Sequence, residues 1–143
     1  MPYKRKYIDL IESVQRHFTR YIIGMKELNY EDRLKSLKLY SLEYRRFRGD
    51  MIEVFKMCHG HYDPITTKTL INLNKSNTRS NDFKLLKNRV NSTQFLKFFT
   101  NRVVNPWNKL PREAVNAGSV NVFKNYLDFI YREHLYSTNF EIV

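Results

Sequence analysis

The chain has 143 residues and a mass of 17.4 kDa, enough for one domain and far short of a complete polymerase or kinase. Its ten Phe and ten Tyr set it apart from disordered tails, and its four Gly argue against a glycine-rich phosphate loop. With 25 Lys and Arg against 14 Asp and Glu, the formal charge is +11 and the pI near 9.8, the balance of a protein that meets a polyanion.

The first predicted element is an amphipathic helix over 5–23. Tyr7, Leu10, Ile11, Val14, Phe18, Tyr21 and Ile22 recur at three- and four-residue steps on one face. Asp9, Glu12, Arg16 and Arg20 occupy the opposite face, with Glu12, Arg16 and Arg20 spaced for i, i+4 ion pairing. Gly24 is the expected stop. Asn29 reads as an N-cap, with Asp32 in a capping-box-like position, for a short helix to about Leu37. Ser41 is the next cap. A long helix from Leu42 to His59 follows, ended by Gly60, with Tyr44, Phe47, Met51, Val54, Phe55 and Cys58 on its apolar face.

From His61 to Asp82 the periodicity dissolves. Asp63-Pro64, the threonines and the polar run 72–82 read as a loop with a helical turn near Leu70. The segments FKLLKNRV and TQFLKFF, separated by Asn91 and Ser92, read as a short β-hairpin. A helix is expected from Phe99 to about Asn108, its end blurred by Pro106. Pro111 and Glu113 open a turn. Ser119 caps a last helix with Val120, Phe123, Leu127, Ile130 and His134 on one face. The predicted fold class is mainly α: a small helical domain with a short β-hairpin.

The charge is unevenly placed. Residues 61–110 hold 9 basic and 2 acidic groups, residues 1–60 hold 13 and 8, and residues 111–143 hold 3 and 4. The middle third is therefore the expected polyanion surface. Arg45, Arg46 and Arg48 in RRFR, interleaved with Tyr44 and Phe47, suit phosphate contact with stacking, as do Lys84, Lys87, Arg89, Lys97 and Arg102. Arg45 and Arg46 are expected to point away from the apolar stripe. Arg16 and Arg20 join the set of candidate nucleic-acid contacts. The rival reading of each is a solvated basic face.

Other constellations carry less chemistry. Cys58, His59 and His61 cluster, with His17 and His134 elsewhere, but structural zinc sites usually hold two or more Cys. A core thiol beside a helix end is the simpler reading. Asp50 and Glu53 share a helical side, yet Arg46 lies four residues before Asp50, so an intrahelical ion pair is expected there and not a two-metal site. Tyr30-Glu31-Asp32 has one Asp and opens a helix, unlike the paired aspartates of a polymerase turn. The single cysteine excludes an internal disulfide. No apolar run approaches the ~20 residues that span a bilayer. A soluble intracellular chain is expected, nuclear or cytoplasmic, without membrane contact.

Three segments carry a resemblance. Residues Ile11 to Thr19, Tyr30 to Leu34 and Leu42 to Asp50 resemble the ordered motifs Leu-Glu-x-Val-Gln-Arg-x-Phe-Thr, Tyr-Glu-x-Arg-Leu and Leu-Glu-x-Arg-Arg-x-x-Gly-Asp. These follow the polymerase core in non-LTR, LINE-type (jockey-like) retrotransposon reverse transcriptases. Arg102, Trp107, Asn108, Leu110, Pro111, Ser119, Phe123 and Lys124 resemble the recurring core of the C-terminal end of the same reading frames. The ordered set covers nearly all of residues 7–130.

The resemblance implies a parent that copies RNA into DNA, with its palm, catalytic aspartates and endonuclease upstream of Met1 and Met1-Pro2 as an internal start. It implies that this chain is a noncatalytic thumb-and-tail segment needing no cofactor. The expected organisation is a helical thumb-like segment at 1–60, a polar loop at 61–82, and a hairpin plus helical segment at 83–143. The expected partners are RNA and DNA backbone, bound weakly by charge. The alternative is a helical protein-interaction module with no nucleic-acid role.

Overall fold

The computed structural model describes residues 4–74, 82–89 and 91–137. It is mainly helical, and the described residues contain no sheet. In chain order the helical segments are α1 (Arg5–Arg20), α2 (Tyr30–Ser36), α3 (Leu42–Cys58), α4 (Pro64–Leu70), α5 (Thr93–Leu96), α6 (Phe99–Arg102), α7 (Val104–Asn108), α8 (Arg112–Val115) and α9 (Val120–Ile130). None of the described helices is long and apolar enough to cross a membrane. Contacts divide the chain into two compact units. Among the described residues one unit holds 4–47 and 131–137, and the other holds 48–74, 82–89 and 91–130.

The first unit is organised around polar residues of α1. Glu12 and Thr19 are buried, whereas Tyr7, Leu10, Val14, Phe18 and Tyr21 are exposed. The helix therefore turns Glu12, Gln15 and Thr19 inward and leaves its apolar stripe outside, the reverse of what its periodicity alone implies, while Asp9, Arg16 and Arg20 stay exposed. The inward face is viable because each buried polar group finds partners. The Glu12 carboxylate accepts from the Tyr30 hydroxyl at 2.6 Å and from Leu42 N–H at 3.0 and 3.2 Å. Gln15 Nε2 donates to Tyr40 O at 3.0 Å. Arg33, itself buried, donates to Thr19 Oγ1 (3.3 Å), Leu28 O (2.6 Å) and Arg16 O (3.3 Å). Glu12 is thus bound within the unit and does not form the ion pair expected with Arg16. Leu34, Tyr44 and Phe47 supply the apolar interior, with Tyr131 packed edge-on against Phe47 at 4.8 Å between ring centroids.

Helix ends follow local chemistry. Asn29 Oδ1 accepts from Asp32 N–H at 2.9 Å, and buried Ser41 Oγ accepts from Tyr44 N–H at 3.2 Å, as both cap assignments require. After α2, Leu39 N–H reaches Leu34 O and Lys38 N–H reaches Lys35 O, a Schellman closure that places Lys38 at a left-handed φ of 53°. After α3 the same pair of bonds runs from His61 to Lys56 and from Gly60 to Met57, with Gly60 at φ 73°. α1 ends at Arg20, four residues before Gly24, which takes φ 80° in the following turn.

The second unit packs Met51, Val54 and Phe55 of α3 against Val103, Val104, Trp107, Val115, Phe123 and Leu127. Phe55 stacks on Phe123 at 4.4 Å, and Trp107 lies tilted 5.8 Å from the same ring. Trp107 has no solvent exposure, and its Nε1 donates to Phe83 O at 2.8 Å. Next to it, Asn108 reproduces a strand edge: its Oδ1 accepts from Leu85 N–H and its Nδ2 donates to Leu85 O, both at 2.8 Å. The Trp-Asn pair therefore holds the extended segment around Phe83 and Leu85 in place.

Four expectations change here. Asp63-Pro64 starts a helix, because the Asp63 carboxylate accepts from Ile65 and Thr66 N–H, both at 3.0 Å, and Pro64 occupies the first turn where it loses no bond. The predicted hairpin does not form among the described residues. Leu85 bridges to Leu73 instead, and the TQFLKFF segment becomes α5 and the start of α6 because Ser92 Oγ caps it through Gln94 N–H at 3.3 Å. The helix predicted over 99–108 divides at Val103 into α6 and α7; Pro106 has no N–H to offer Arg102 O, so the ladder breaks there. In α9, Phe123 and Leu127 are buried as expected, but Ile130 is exposed and His134 lies beyond the helix end. Residues 75–81 of the polar run, Val90 and Met1-Pro2 lie outside the described residues.

Candidate nucleic-acid interface

The ten basic residues singled out in the sequence meet different fates. Arg48 donates from Nε and Nη2 to Asp128 at 2.7 and 2.8 Å. Arg102 does the same to Asp50, again at 2.7 and 2.8 Å, with its guanidinium 5.6 Å over the Phe99 ring. Both are bidentate, partly buried ion pairs inside the second unit. Their side chains staple helices and are not presented to a ligand. Asp50 consequently takes Arg102 as its partner in place of the expected Arg46.

Arg46 also departs from its expected place on the solvent side of α3. Its Nε and Nη2 are buried and have no hydrogen-bond partner among the described residues, and with Arg45, Ile11 and Leu42 it lines a concavity of about 330 Å³. Arg45 is exposed as expected. Lys84 is half-buried, while Lys87, Arg89 and Lys97 are exposed. Lys87 and Arg89, together with Lys68, Thr67, Asn72 and Leu86, line a shallow basic concavity of about 970 Å³ in the second unit.

Arg16 and Arg20 come together with residues the sequence reading did not include. At the C-terminal end of α1, Ser13, Arg16, His17, Arg20, Lys26 and Arg33 line a concavity of about 360 Å³. No carboxylate among the described residues lines it. A second concavity of about 620 Å³ shares His17, Arg20 and Lys26 and adds Tyr21, Ile22 and Ile23. Arg33 is fixed by its bonds to Thr19, Leu28 and Arg16, which hold its charge at the floor without neutralising it. The Arg16 guanidinium lies 5.1 Å over the Tyr30 ring, and Arg33 lies 5.6 Å from the same ring. Burial, reinforced by the bond to Glu12, pushes the Tyr30 hydroxyl above its ordinary range, so it stays neutral beneath the cations.

Such a cluster can bind an anion by charge and by forked N–H donors. One signal for Arg33 was legible, since it lies in the Tyr-Glu-x-Arg-Leu segment. Nothing in the sequence marked Lys26, which lies beyond the end of the helix and is brought back by the turn at Gly24.

The remaining constellations are structural. Burial pushes the Cys58 thiol up to about 12, leaving it protonated and unreactive at neutral pH. The His59 ring stacks on Phe55 at 3.9 Å and lies 4.8 Å from Phe83. No group of three or more His, Cys, Asp or Glu able to hold a metal occurs among the described residues. Glu53 is held by Lys56 at 2.8 Å and by the Tyr62 hydroxyl. Comparison with protein families, with curated proteins and with solved structures finds no match to this chain.

Proposed function

We propose that this chain is the noncatalytic C-terminal segment of a LINE-type reverse transcriptase and that it holds RNA or DNA by its backbone without reading bases in a groove. The observation that carries the proposal is the concavity at the end of α1, where Arg16, His17, Arg20, Lys26 and Arg33 converge and no carboxylate among the described residues intervenes. A phosphate backbone is a polyanion that such a cluster of cations attracts, and contact with phosphate and sugar serves a protein that must accept any sequence. A second support is the use made of the motif residues behind the resemblance. Glu12, Tyr30, Arg33, Asp50, Arg102, Trp107 and Asn108 make the interior polar contacts of their units. They read as the frame that holds each unit together.

A salt titration of fluorescence anisotropy tests the proposal. Log K should fall linearly with log salt, by ~0.9 per phosphate contact on B-DNA, and each of Arg16→Ala and Arg20→Ala should flatten the slope by roughly one contact. The purified chain should give no template-dependent primer extension with magnesium or manganese. A second reading, a protein-interaction module, draws on the exposed apolar face of α1, where Phe18 is 67% and Leu10 62% exposed. Absence of binding to any polyanion at low salt would favour it.

A further inference from the structure

Resting on that backbone-binding reading, we infer that the end of α1 selects single-stranded nucleic acid, taking an unpaired base beside the phosphate site. Two different concavities adjoin there. The one lined by Arg16, Arg20, Lys26 and Arg33 offers only polar and cationic groups. Its neighbour shares Arg20, Lys26 and His17 but is walled by Tyr21, Ile22 and Ile23, a mixed apolar and aromatic surface. At about 620 Å³ the neighbour lies within the size range of small-ligand pockets.

The aromatic geometry supports a stacked base. Tyr21 is 72% exposed, and the His17 ring meets it edge-on, centroids 4.9 Å apart at 71°. His17 also packs edge-on to Phe18 at 6.0 Å and 82°. His17 thereby contacts Tyr21, which stays largely exposed. A cation beside an exposed ring and exposed apolar side chains is how nonspecific single-strand sites combine backbone attraction with sequence-tolerant stacking. A duplex buries its base faces in the stack, so it can occupy the phosphate concavity and leave the neighbour empty. The polarity difference between two adjoining surfaces thus becomes a preference for strandedness.

The test compares labelled oligo(U) and oligo(dT), an abasic strand of equal length, and a blunt duplex of equal length, by anisotropy at one low salt concentration. The single strands should bind roughly tenfold tighter than the duplex and the abasic strand, the scale of one stacked base. Tyr21→Leu should remove that advantage and leave duplex affinity unchanged, while Tyr21→Phe should restore it. Arg20→Ala with Lys26→Ala should weaken all the probes. Circular dichroism melts check that the variants keep the fold. Equal affinity for strand and duplex, or a Tyr21→Leu variant that binds as wild type, overturns the inference while the Arg20 and Lys26 effect keeps the backbone reading standing. Failure of every probe to bind overturns both.

Discussion

Arg102 grips both carboxylate oxygens of Asp50, with contacts of 2.7 and 2.8 Å and side chains only 24% and 18% exposed. A forked pair in that degree of shelter contributes through geometry that a lysine cannot reproduce. Arg102→Ala should destabilise the chain by about 1.5–3 kcal/mol, and Arg102→Lys should recover only part of the loss. The salt slope of nucleic-acid binding should not change in either variant. Urea unfolding and a double-mutant cycle with Asp50→Asn read the coupling. A flattened salt slope with unchanged stability would assign Arg102 to the ligand surface instead.

Trp107 should be a structural anchor. It has no solvent exposure, touches Phe123 and holds Phe83 O through Nε1. Trp107→Ala is expected to cost about 3–5 kcal/mol. Asn108→Leu should also destabilise, because it strips both partners from the Leu85 main chain. Thermal melts of the two variants check this. Wild-type stability in Trp107→Ala would refute the assignment.

The inverted α1 gives a prediction opposite to ordinary helix reasoning. Leu10→Lys or Val14→Glu, on the apolar face, should leave stability within about 0.5 kcal/mol of wild type. Glu12→Ala should be strongly unfavourable, since it leaves the Tyr30 hydroxyl and Leu42 N–H without their acceptor. Chemical denaturation of the three variants decides it.

The alkaline limb of stability follows from Cys58, which burial raises from an ordinary 9.0 to about 12. A raised folded-state value means that the stability contribution is complete below pH 9 and is lost as pH climbs towards 12. Tyr30 and Tyr131, raised mainly by burial, act in the same direction. Melts across that window should show a falling midpoint, with a shallower fall in Cys58→Ala. Labelling of Cys58 by a thiol reagent at pH 8 should be slow in the native chain and fast in urea.

Much of the fold was legible because its signals are local. Asn29, Ser41 and Ser119 cap helices within three residues of their partners, and Gly60 meets a left-handed turn. Pairings distant in sequence were not legible. Leu85 chooses Leu73 and Asn108 over the nearer TQFLKFF segment, which no alternation pattern encodes. The direction of α1 was hidden for a related reason. Periodicity locates an apolar face but does not say whether the chain itself covers it, and the acceptors and donors that draw in Glu12, Gln15 and Thr19 come from 14 to 30 residues away. Within the site, Arg16 and Arg20 were visible as one helical face, but their convergence with Lys26 and Arg33 depends on the turn after α1. Arg48 and Arg102 looked equivalent to them in sequence, and only the distant Asp128 and Asp50 set them apart.

The open stripe of Tyr7, Leu10, Val14 and Phe18 also governs how the chain behaves in concentrated solution. At low ionic strength a net charge of +11 keeps copies apart. Salt shortens the reach of that repulsion to ~10 Å at 0.1 M and leaves apolar attraction intact, and sulfate strengthens it. The second virial coefficient should therefore change sign from positive to negative as salt is added, a colloidal instability lodged in one helix. Phe18→Ser with Leu10→Lys should keep the coefficient positive to higher salt. Preparations meant for concentrated work are thus best kept in dilute chloride.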